Sequence, residues 1–107
     1  MLPNGKYSAW FNTPRAGGMG VIELLDGRLS GGDTTIAYHG SYVQDGDSFT
    51  ATIATRRHSA GQAGILGLDE VEIDLEGTSR STTASCAGRI RQQPEIPFEV
   101  VLVRMED

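Results

Sequence analysis

Basic residues are scarce in this chain: Lys and Arg total 9 against 14 Asp and Glu, for a net charge of −5. A surface with that balance repels phosphate and lacks the uniform attraction on which nucleic-acid affinity mostly rests, so direct DNA or RNA binding is excluded. Cysteine is scarcer still. Cys86 stands alone, so no internal disulfide can form, and its setting in "TTASCAG" suits a small buried side chain. Histidine occurs only as His39 and His58, without the close Cys and His pairs by which zinc sites announce themselves, so no metal or cofactor is expected. No apolar run approaches the roughly 18 residues needed to span a bilayer. The opening "MLPNGKYSAWF" has neither a basic segment nor a long apolar core of the kind that directs export. These absences set the expectation of a cytoplasmic protein of bacterial style, folded as a single domain over residues 1–107. A chain of that length buries roughly 65% of the surface its unfolded form exposes and needs no covalent staples.

What is present is alternation. "VEIDLEG" puts Val71, Ile73 and Leu75 on one face and Glu72, Asp74 and Glu76 on the other, the pattern of a half-buried antiparallel strand. "SFTATIATR" sets Phe49, Ala51 and Ile53 against Thr50 and Thr52. "TIAYHGSYV" lines up Ile36, Tyr38, Gly40 and Tyr42 with β-branched and aromatic enrichment. Further strands are expected at 5–12, 18–25, 28–31, 81–91 and 97–105, eight in all. Asp26-Gly27 and Asp45-Gly46 lie between such runs, and Asp-Gly adopts the positive φ that tight hairpins demand. Residues 59–70, "SAGQAGILGLDE", break the rhythm and read as a loop with at most one helical turn. Many short sequential strands favour an up-and-down barrel or a sandwich. The barrel is preferred because closure removes exposed edges. Eight strands enclose either packed side chains or one small ligand.

Motifs for chemistry are weak. "LSGG" at 29–32 matches the start of an ATPase signature, yet it runs into a strand instead of opening a helix, and no phosphate-binding lysine loop accompanies it. "GGMG" and "GQAGILG" fail the dinucleotide pattern, since Glu23 stands where a third glycine is required. "DGD" at 45–47 begins like a calcium loop but lacks the later ligands. No nucleophile elbow is present, and nothing in the spacing requires His39 and His58 to converge with Asp33 or Asp69. The expectation is a protein that is not an enzyme.

Four stretches in order, "GKYSAWF", "GRLSGGDTTIAYHGSY", "DGDSFTATI" and "GILGLDEVEIDLEG", together resemble the GrlR-like family of type III secretion negative regulators. The resemblance runs over about residues 4–90. It implies an all-β, eight-stranded antiparallel lipocalin-like barrel with the glycine pair on its wall. There Gly31 and Gly32 would permit a sharp bend or bulge, and Asp33 would hydrogen-bond the freed backbone. It also implies a non-enzymatic homodimer that binds and holds off a transcriptional activator, with a barrel cavity that accepts a small apolar, lipid-like molecule. The family's acidic hairpin run corresponds here to Gln44, Asp45, Gly46 and Asp47, so two carboxylates are retained.

Three expectations follow. "PFEVVLVRM" can turn Val100 and Leu102 to one side and Val101 and Val103 to the other, and two-sided apolarity calls for a covering surface such as a second copy. Inside the barrel, Tyr38, Tyr42, Phe49 and Ile53 are the expected ligand liners. Outside it, Asp45 and Asp47 are the expected contact for a basic protein partner. The alternatives are a structural or interaction barrel with a packed lumen and no ligand, and, less favoured, a small enzyme.

Overall fold

The computed structural model describes residues 1–14, 17–33, 36–57 and 70–105. They form β1 (Gly5–Asn12), β2 (Gly17–Leu25), β3 (Arg28–Gly32), β4 (Ile36–Asp45), β5 (Ser48–Arg57), β6 (Glu72–Arg80), β7 (Thr83–Ile90) and β8 (Phe98–Arg104). Each strand pairs antiparallel with its sequence neighbour, and β8 returns to β1, giving a closed eight-stranded barrel. All backbone edges are therefore used up within the sheet. The helical turn considered for residues 59–70 lies outside the described residues apart from Glu70.

The up-and-down path gives the barrel two unlike ends. At one end, hereafter the turn end, the strands are joined by two-residue turns. At Asp26-Gly27 both residues take positive φ, 48° and 87°, as a type I′ hairpin requires. Gly46-Asp47 places its positive φ of 59° on the first residue, as in type II′. The third turn, Ser81-Thr82, corrects the expected strand 81–91: β7 begins at Thr83 and β6 runs on to Arg80. Ser81 holds φ at 58° without being glycine, so its turn carries no Asp-Gly mark and hides among β-favouring threonines.

The same end is stoppered by the N-terminal residues. Leu2 is buried, its N–H donates to Gln44 Oε1 at 2.6 Å, and Gln44 Nε2 donates back to the Leu2 carbonyl at 3.0 Å. The Tyr7 hydroxyl donates to the Pro3 carbonyl at 2.5 Å. Asn4 ties the segment to the first turn, donating to Asp26 Oδ1 and accepting from the Asp26 N–H, both at 3.0 Å. Inside this half Tyr7, Leu24 and Phe49 are fully buried, and Tyr42 stacks on Phe49 with ring centroids 5.6 Å apart. Burying side chains of that size stabilises by roughly 1.5–3 kcal/mol each.

The opposite, loop end carries the connections after β1, β3, β5 and β7. Here the small residues of β7 make room that larger neighbours take up. A Cβ added at Gly88 would stand 2.7 Å from the Phe98 ring and 2.8 Å from a Leu75 methyl, so that glycine seats both side chains.

Candidate functional site: the loop-end half of the barrel interior

Between the packed turn end and the loop end lies a cavity of about 80 Å³. Its walls come from alternate, inward-facing positions of every strand but β7, with Phe11, Ile22, Ile53, Ile73, Phe98 and Val100 among them. Period-two alternation puts all of these on the inner face, and barrel closure converges them. Phe11 organises the aromatic part, meeting Tyr38 edge-on at 6.1 Å and lying stacked to Phe98 at 6.3 Å. An engineered apolar cavity of about 150 Å³ admits benzene, and this one is about half that size.

Three polar side chains reach this wall: Asp33, Tyr38 and Thr55. The Asp33 carboxylate accepts the Ile36 N–H through Oδ1 at 2.7 Å and the Tyr38 hydroxyl through Oδ2 at 2.7 Å, while the Asp33 N–H donates to the Ile36 carbonyl at 2.9 Å. Asp33 thus closes the β3–β4 connection through its backbone and side chain together and fixes the Tyr38 ring from the same carboxylate. Burial, followed by the hydrogen bond to Asp33 and the charge of that group, pushes the Tyr38 phenol far above its ordinary value, so it remains a donor to Asp33. Thr55 Oγ1 accepts the Val71 N–H at 3.0 Å and donates to the Val71 carbonyl at 3.4 Å, which ties β5 to the segment entering β6.

The glycine pair beside Asp33 serves close approach. Pairing runs without an inserted residue from Val21↔Gly32 to Leu25↔Arg28, so the bulge allowed for there is absent and β3 stays in register. At Gly31, φ is 155° and a Cβ would lie 2.1 Å from the Val21 carbonyl oxygen. Only glycine lets β2 and β3 come together there.

Of the four residues expected to line a ligand site, Tyr38 and Ile53 face the cavity. Tyr42 and Phe49 also point inward but are spent on each other in the packed half. Phe11 and Phe98 were not anticipated as liners. Nothing in the order of residues says which face of β1 points inward, so Phe11 carries no mark in the sequence, and Phe98 follows the proline of "IPF", where alternation begins only with the strand.

Asp45 and Asp47 stand exposed at the β4–β5 turn, on the stoppered end and away from the cavity mouth. The N-terminal ammonium lies 4.0 Å from Asp47 Oδ1, a solvated contact. The Asp47 carbonyl accepts the Ser79 N–H at 2.8 Å, locking the turn to β6. On the outside of β2, β1 and β8, Met19, Trp10 and Val101 sit side by side in register, with Val103 next along β8. Their exposures are 47%, 53%, 37% and 38% in that order. Val100 and Leu102 face inward, so the two-sided reading of β8 holds.

The remaining candidates have plain structural roles. His39 is exposed on the outer face of β4, and His58 and Asp69 lie outside the described residues. Cys86 is buried, and burial pushes its thiol up to about 11. Among the outward acids, Asp74 receives Arg91 Nε and Nη2, both at 2.9 Å, and those hydrogen bonds hold its carboxyl below the ordinary range. Among the described residues no three His, Cys, Asp or Glu side chains gather as a metal site would require, and no helix is long and apolar enough to cross a membrane.

The fold and site together define a closed eight-stranded antiparallel barrel, packed at one end and hollow toward the other. Compared with known proteins, the chain matches no family model and no curated protein.

Proposed function

We propose that this protein is a non-enzymatic regulatory barrel that carries one slim apolar ligand in its loop-end cavity and acts by contacting another protein. The observation that carries the ligand half is the apolar hollow itself. A core of this composition could have been closed by larger side chains at Ala9 or Thr55, yet about 80 Å³ is left open among Phe11, Ile22, Ile53 and Phe98. A homodimer formed through Met19, Trp10, Val101 and Val103 gives that outer face its cover, and is what the resemblance to GrlR-like regulators implies.

The partner half rests on charge. A basic regulator, such as the transcriptional activator implied by that resemblance, is attracted by a surface of net charge −5, with Asp45 and Asp47 exposed together at the β4–β5 turn. Xenon pressed into crystals tests the cavity: an atom seated between Ile53 and Phe98 supports the reading, and an unoccupied, collapsed interior overturns it. Pull-down from the native host tests the partner. Replacing both Asp45 and Asp47 by Asn leaves the turn intact and should weaken capture of a basic protein, most clearly at low salt. An unchanged partner set would reduce both residues to turn formers.

A further inference from the structure

We propose that Asn4 is a spontaneous deamidation site, held off by its clamp on the Asp26-Gly27 turn, and that loss of its amide unfastens the stopper at the turn end. The chain holds two asparagines, and only Asn4 precedes a glycine. Asparagine is a thermolabile residue, and before glycine it reacts most readily because no side chain obstructs the following nitrogen. The Gly5 nitrogen attacks Asn4 Cγ, and the new C–N bond closes a five-membered succinimide. The side-chain nitrogen leaves as ammonia, taking the proton of the attacking amide. Water then opens the ring at either carbonyl and leaves an aspartyl or isoaspartyl residue at position 4.

The fold requires both members of this labile pair. Gly5 opens β1 with φ at 150°, which side chains rarely adopt, and a Cβ there would stand 3.2 Å from the Arg104 guanidinium. Asn4 gives one residue both a donor and an acceptor: Nδ2 donates to Asp26 Oδ1, and Oδ1 accepts the Asp26 N–H, each at 3.0 Å. Oδ1 also takes the Tyr42 hydroxyl at 3.5 Å. Clamped in this way, the amide must break both bonds to Asp26 before the Gly5 nitrogen can reach Cγ. Asn4 is exposed, so water for the second step is at hand and the clamp is what delays the first. Once the amide is gone the clamp turns against itself. A carboxylate at position 4 has no donor for Asp26 Oδ1 and sets like charge against it. Arg104, whose Nη2 lies 3.5 Å from the Asn4 carbonyl, draws the new charge away from the turn. The Leu2–Gln44 pair and the Tyr7–Pro3 bond are then left to hold the segment, which opens more often.

The test follows the intact protein in mildly alkaline buffer by peptide mapping that separates Asn4 from its aspartyl and isoaspartyl products, with Asn12 as the internal control. Loss of Asn4 should be slower in the folded protein than in the same chain unfolded in urea by about tenfold or more, since a hydrogen bond to a carboxylate is among those that must break. Asp26→Gly keeps a residue suited to the left-handed turn and removes the carboxylate, so the folded-state reaction should speed up about fivefold or more. Asp26→Asn keeps an oxygen for Asn4 Nδ2 and should stay near the wild-type rate. Should Asp26→Gly disturb the barrel, Asp26→Ser replaces it, serine being the residue that holds φ at 58° in the third turn. Equal rates in folded and unfolded wild type, or no acceleration on removing the carboxylate, overturns the clamp. Asn4→Asp installs the product directly, and exchange of the Leu2 N–H and the Gln44 side-chain amide should rise about threefold or more. Unchanged exchange there overturns the unfastening.

Discussion

Removing the carboxylate of Asp33 deprives two neighbours at once, the Ile36 N–H and the Tyr38 hydroxyl. Asp33→Ala should therefore destabilise by about 1–3 kcal/mol, and Asp33→Asn by clearly less, because the amide oxygen can still accept one of the two bonds. Denaturant midpoints on the two variants check this, and equal losses would mean that charge, not turn closure, matters. Cys86 makes a second prediction at the same scale. With its thiol pushed up to about 11 from 9.0 by burial, it should resist alkylation near neutral pH in the folded protein and react once the protein unfolds. The sign for stability is set by the folded state holding the proton more tightly. The contribution is complete below 9.0 and is lost as pH rises through about 11. Tyr7 and Tyr38 are raised by burial in the same direction, so they add to alkaline weakening. A stability profile flat from neutrality to about pH 9 and falling beyond it is expected, and a rise there would contradict the buried placements.

At the scale of the strand, two glycines that look alike in sequence should behave differently. Gly31→Ala drives a Cβ into the Val21 carbonyl and should cost about 2–4 kcal/mol by parting β2 from β3. Gly46→Ala meets nothing within 4 Å and strains only a φ of 59°, so about 1–2 kcal/mol is expected. Thermal unfolding of both variants decides, and a larger loss at Gly46 would contradict the register of β2 and β3. The contrast also marks what sequence could and could not say. Alternation and turn residues mark eight strands and show which residues of β4, β5 and β6 share a face, because a period of two is written in the order of residues, but not which of the two faces points into the barrel. The Asp-Gly turns were legible because their φ demands a residue type. Ser81 was not, since it tolerates left-handed backbone without advertising it. Nor could alternation separate Tyr38 and Ile53 at the cavity from Tyr42 and Phe49 in the packed half. Depth along a barrel depends on the stagger of its strands, and no local pattern encodes that.

For the molecule as a whole, the account joins a half-hollow barrel to an uncovered apolar face, and the two can be read separately. Trp10 is outward and 53% exposed, with its indole N–H given to Ser8 Oγ, so Trp10→Glu should leave the barrel folded while converting a dimer to a single 11.5 kDa chain in light scattering. A variant that remains dimeric would move the interface elsewhere. The occupied cavity is the more direct claim, and native mass spectrometry of freshly purified protein from its own host tests it in one spectrum. The account predicts the mass of two chains, each carrying one small apolar molecule that leaves on collisional activation. Bare chain, with no adduct at the gentlest conditions that keep the protein folded, would contradict it.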